Sequence, residues 1–104
     1  MMIVTTNSIE GKTIKKTLGL VRGNTIRARH IGRDISAALK NLVGGEIRDY
    51  TKMMAESREQ SLDRMVEEAE SLGANAIIGV RFTTSMIMQS ASEILTYGTA
   101  VIVE

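Results

Sequence analysis

The chain has 104 residues, a net charge of +1 and no cysteine. That is room for one domain with one core, and it excludes disulfides and thiolate metal sites. Only Tyr50, Phe82 and Tyr97 are aromatic, so Ile, Val, Leu, Met and Ala must build the core, and few rings exist to stack on bases.

In chain order, the first twelve residues lack the basic and apolar runs of a secretory signal. No stretch approaches the roughly 20 apolar residues of a membrane helix. A cytoplasmic protein with no membrane partner is the expectation. "MIVTT" (2–6) is short and β-branched, which predicts a strand. "NSIEG" (7–11) is turn chemistry, with Gly11 open to positive φ. "EGKT" (10–13) resembles the end of a phosphate-binding loop. The full motif needs another glycine where Thr6 stands and a helix afterwards, so nucleotide hydrolysis is not expected. From Thr13 to Arg29 the pattern predicts one long bent strand or two short ones, with Gly19 and Gly23 at bulges or close backbone approaches.

From about Gly32 the period turns helical. Ile31, Ile35, Ala38, Leu39 and Leu42 form one stripe, and Gly44-Gly45 ends it. A second helix is predicted from Glu46 to Leu72, with Met54, Ser61, Leu62, Met65, Val66 and Ala69 on its apolar face and an acidic face opposite. Arg64 is spaced to meet Glu68. Gly73 should end this helix in the left-handed conformation. "ANAIIGVRFTT" (74–84) reads as a strand, with Ala76, Ile78, Val80 and Phe82 on one face and Ile77, Gly79, Arg81 and Thr83 on the other. "SMIMQSAS" (85–92) reads as a loop or bulged hairpin. "SEILTYGTAVIVE" (92–104) reads as a strand covered on both sides.

The second helix spans roughly 40 Å at 1.5 Å per residue, whereas a compact 100-residue domain has a radius of gyration of about 13 Å. It should overhang its sheet and need cover from a second copy. Charge is uneven: residues 1–45 carry eight Lys or Arg against two acids, and residues 46–104 carry five against ten. The basic stretch Lys12–Arg33 is expected to meet acids of the second helix, within or across subunits, rather than nucleic acid.

"GLVRGNTIRARHIGRDI" (19–35), "NLVGGEIRDYTKMMAESREQSLDRMVEEAESLGANAIIGVRF" (41–82) and "ASEILTYGTAVIVE" (91–104) resemble the YbjQ family of small bacterial and archaeal proteins, sometimes labelled a heavy-metal-binding domain. The resemblance covers essentially the whole chain as a single domain, 1–104. It implies an α+β, β-β-α-α-β-β subunit, one long helix on a mostly antiparallel sheet, similar to dodecin subunits. It also implies a ring-shaped homopentamer in which the sheets of neighbouring subunits join.

The chemistry-bearing residues are few. His30, the one histidine, and Asp34 are four apart and could share a helix face as half a metal site. Arg29 and Arg33 flank them and repel a cation, and soft metals lose their preferred thiolates. Ser36, His30 and Asp34 crowd one helix turn, too close for a base to bridge nucleophile and acid. Glu46 is a possible acid or base and equally a favoured first-turn residue. No catalytic residue, metal ligand or cofactor is therefore assigned. The expected function is a non-enzymatic homo-oligomer, with a small molecule in inter-subunit clefts. The alternatives are a metal-binding protein using His30 and Asp34 around a ring, and an enzyme with a subunit-boundary site near Glu46 and Tyr50.

Overall fold

The computed structural model describes residues 1–28, 45–88 and 91–104, with the side chains of residues 27–28 and 45–50 excepted. The helix expected over 32–43 lies outside the described residues. The elements are β1 (Met2–Ile3), β2 (Ile14–Ala28), α1 (Gly45–Ser71), β3 (Ala76–Met88) and β4 (Ala91–Val103). They form an α+β fold, one helix on a four-stranded mixed sheet of order β1-β3-β4-β2. β1 runs parallel to β3, while β4 is antiparallel to both of its neighbours.

Each boundary has a local cause. Gly73 sits at φ 83° and closes α1 with the paired bonds of a Schellman cap: Gly73 N–H donates to Glu70 O and Ala74 N–H to Ala69 O. Two residues later the Asn75 amide extends the sheet. Its Nδ2 donates to Val103 O and its Oδ1 accepts from Val103 N–H, both at 2.8 Å. β2 is one strand of 15 residues, with register shifts against β4 near Lys15 and Leu18. After β1 the chain keeps following β3: Val4 N–H donates to Ile77 O, and Gly79 N–H donates to Thr6 O.

Gly79 changes the reading of β3. At φ 62° it forms a bulge, and the register against β4 jumps from Ile78–Thr99 to Arg81–Tyr97. The extra residue resets the alternation. Ile77 and Val80 both enter the core that α1 covers, whereas Ala76 and Ile78 join the opposite cluster. The strict alternation expected from the sequence therefore fails at this one glycine. β3 also runs on to Met88, so residues 85–88 are strand, where a loop was one of two expectations.

The core has two sides. Beneath α1, Met65 and Ala69 pack on Val21, Ile77, Val80 and Ala100. On the other face Val101, Val103 and Ala76 pack under Ile9 from the β1–β2 connection. β4 is thus covered twice at its C-terminal end, as its continuous apolar run implied. Glu104 stays in the ladder, exchanging backbone bonds with Thr13 at 2.9 and 3.0 Å.

The chain measures 55 × 21 × 16 Å with a Cα radius of gyration of 17.4 Å, well above the roughly 13 Å of a compact domain this size. The long helix does not overhang lengthwise, because strands of 13 to 15 residues run roughly 45 Å beside it at about 3.3 Å per residue. It is offset sideways: α1 lies chiefly on β2, less on β4, and barely reaches β3.

Candidate functional site

The sideways offset leaves part of the sheet uncovered by the described residues. From Arg81 onward every residue of β3 is exposed. Phe82 is 49% exposed, Met86 78%, Ile87 50% and Met88 51%, four apolar side chains on the part of β3 that extends past the two-residue β1 and so forms the edge of the described sheet. Edges of this kind are normally blunted by charge, proline or a bulge. Arg81 is the one charged residue of β3, and its Nη1 is turned back to Thr5 O at 2.8 Å. Between this edge and α1 lies an open groove of about 890 Å³, lined by Ala55, Glu56, Arg58, Glu59, Phe82 and Thr84. One wall is charged helix and the other is aromatic strand.

The sheet face opposite α1 carries a second grouping. In the ladder Arg22 pairs with Tyr97, and Tyr97 with Arg81. All three share the face that α1 does not cover, since Gly23 and Thr96 next to them point under the helix. Asn24 and Glu93 on the same face bond to each other at 3.2 Å.

Between helix and sheet the contact is polar and close. A Cβ on Gly23 would fall on the Ser61 carbonyl oxygen and the Met65 nitrogen, and 2.8 Å from Arg64 Cβ. Only glycine lets the backbones approach this far. Around it four buried hydroxyls pair off. Thr25 and Ser57 are 2.5 Å apart, and Ser61 and Thr96 are 2.6 Å apart. Thr25 also donates to Ser57 O and Ser61 to Arg58 O. Every hydroxyl is partnered and none has a histidine or carboxylate among these partners. They hold the helix in register and are not activated nucleophiles.

The residues singled out from the sequence fare unevenly. His30, Asp34 and Ser36 lie outside the described residues. Glu46 and Tyr50 fall within α1, with side chains outside them. Gly11 is followed by β2 and not by a helix, which removes the phosphate-loop reading. Arg64 reaches into the sheet to donate to Asn24 O at 2.5 Å, where a bond to Glu68 was expected. Arg22 faces away from its own subunit's α1, so within the subunit it does not meet the helix acids. Among the described residues no group of three or more His, Cys, Asp or Glu converges on a metal position. The thioethers of Met86 and Met88 do not converge either, because the register shift between them places them opposite Ser92 and Ala91, on opposite faces. The Arg22–Tyr97–Arg81 row was missed because it is a property of register: the three residues stand far apart in sequence.

A family model described as "Putative heavy-metal-binding" matches residues 1–104. The chain is 57% identical over 104 residues to a UPF0145 protein of Clostridioides difficile, covering all of this chain and 93% of that one. It is 59% identical over 101 residues to a UPF0145 protein of Halorubrum lacusprofundi, with 97% of each chain covered. A crystal structure from Pediococcus pentosaceus, described as belonging to the DUF74 family, superposes with a TM-score of 0.70 at 19% identity, covering 100% of this chain and 98% of that one. At that identity the likeness speaks for the fold alone. No described helix is long and apolar enough to cross a membrane.

Proposed function

The chain belongs to the YbjQ family, and from that premise we propose that it is a non-enzymatic, cytoplasmic homo-oligomer, a ring of five, that holds a small ligand. The observation that carries the assembly is the set of exposed apolar side chains Phe82, Met86, Ile87 and Met88 at the edge of β3. It lies on one outer side of the sheet, and β2 forms the other edge strand beneath an offset helix. A neighbour's β3 added to that second edge would bring Phe82 and Met86 under α1, a cover that the described residues of their own subunit do not provide. Such a contact is heterologous, the kind that builds a ring when its rotation closes.

Light scattering on the purified chain tests this directly. The expected mass is about five times 11.4 kDa. A stable monomer at micromolar concentration would overturn the proposal.

The family's description favours a second reading, metal binding. The described residues offer no donor cluster, which leaves His30 and Asp34, repeated around a ring, as the ligands such a site would use. Equilibrium dialysis against a series of divalent and soft monovalent cations separates the two: stoichiometric binding lost in His30→Ala would establish the metal reading.

A further inference from the structure

We infer that the row Arg22–Tyr97–Arg81, on the sheet face away from α1, is a binding site for a small planar anion, an aromatic or heteroaromatic ring bearing a carboxylate or phosphate. The three residues sit in register across β2, β4 and β3. With adjacent strands about 4.8 Å apart, the two arginine backbones lie about 10 Å from each other with the tyrosine midway. A single ring laid on Tyr97 would therefore have a guanidinium on either side.

The parts are in the states that binding needs. Tyr97 is 37% exposed, so its ring is held by the sheet yet open on one side. Arg81 is anchored, one guanidinium nitrogen donating to Thr5 O and Val80 O at 2.8 Å. Its remaining N–H groups are left for a ligand in a fixed position. Arg22 is exposed, and none of its hydrogen bonds or ion pairs lies among the described residues, so it can close over a bound group. Glu93, the acid of the described strands on this face, already accepts from Asn24. The rows on either side, Leu20–Thr99–Ile78 and Asn24–Leu95–Thr83, carry no charge.

Charge and ring count set the ligand class. Two cations flanking an aromatic give stacking and cation–π stabilisation for a planar group, and bidentate hydrogen bonds for its acid. A bare inorganic anion uses only the second, a neutral ring only the first. With one aromatic on this face there is no platform for successive bases, so a nucleic-acid strand is not the ligand. The cheaper account, that the arginines simply staple the sheet through Tyr97, predicts no ligand at all.

Calorimetric titration of the full chain decides the matter, with four probes: 2-naphthoate, cyclohexanecarboxylate, inorganic phosphate and 2-naphthalenemethanol. Binding of 2-naphthoate at least tenfold tighter than the other three is expected. Tyr97→Phe should keep that preference. Tyr97→Leu and Arg22→Gln should each reduce it at least tenfold, while Lys12→Gln, remote from the row, binds as the parent does. Equal affinity for all four probes, no measurable heat with 2-naphthoate, or undiminished binding by a folded Arg22→Gln chain would overturn the site. So would a single-stranded oligonucleotide that binds more tightly than 2-naphthoate in 0.5 M salt. The site lies within one subunit, so oligomeric mass, measured on the same samples, reports separately on the assembly proposal.

Discussion

Gly23 decides how closely helix and sheet can approach. The atoms a Cβ would meet are mainly backbone, Ser61 O and Met65 N, and backbone inside a long helix cannot swing aside as a side chain could. Gly23→Ala must push α1 off the sheet. That separates Thr25 from Ser57 and Ser61 from Thr96, hydroxyl pairs with no access to water. Overpacking of this kind costs about 1–3 kcal/mol, and orphaned hydroxyls add to it. The variant should melt several degrees below the parent. Thr83→Ala, exposed on the far face, should move the midpoint little, as surface changes usually stay within about 0.5 kcal/mol. Equal melting of the two variants would show that the helix does not seat on Gly23.

Among the elements, what the sequence disclosed followed from local rules. α1 was legible within a residue at each end because its period is sustained and Gly73 supplies the cap. The double cover of β4 was legible from its unbroken apolar run. β3 was misread at Gly79, and between loop and bulged hairpin the sequence left 85–88 open where the structure has the bulged hairpin; both have non-local reasons. Gly79 carries the same bulge signal as any glycine inside a strand, but whether it bulges depends on Thr6 O accepting its N–H from the far side. Residues 85–88 become strand because β4 lies alongside; their own composition is indifferent. The Arg22–Tyr97–Arg81 row is hidden for the same reason. The C-terminus gives the test at this scale. Val101 and Val103 are buried and Glu104 is paired to Thr13. Deleting 101–104 removes two buried valines, each worth roughly 1.5–3 kcal/mol when fully buried. It also frees the Asn75 amide from Val103. A loss near the whole stability of a small domain is expected, seen as loss of a cooperative melt. A truncated chain melting within two degrees of the parent would contradict the placement of β4 in the core.

At the scale of the whole molecule, two forces compete to explain association. One is charge: the basic first half against the acidic second half, +6 against −5 by the counts above. The other is the apolar edge of β3. The charged groups involved are largely exposed. Arg22 faces away from α1, and Glu56, Glu59, Asp63, Glu67, Glu68 and Glu70 lie on the solvent side of the helix. Exposed ion pairs contribute about 0–1 kcal/mol each, and at 1 M salt the screening length falls to about 3 Å. Phe82, Met86, Ile87 and Met88 are each about half exposed or more, and burying such side chains yields up to roughly 1.5–3 kcal/mol apiece. Strand addition along the same edge would also satisfy unpaired backbone groups. The apolar term wins, and it has the opposite salt dependence. Light scattering in 1 M sodium chloride should therefore return the same oligomeric mass as in 0.1 M. The double variant Phe82→Lys/Met86→Lys should give the monomer mass, with helix and sheet content unchanged, because neither side chain belongs to the chain's own core clusters. Dissociation of the parent by salt, or an intact oligomer in the double variant, would shift the interface from the β3 edge to the charged surfaces.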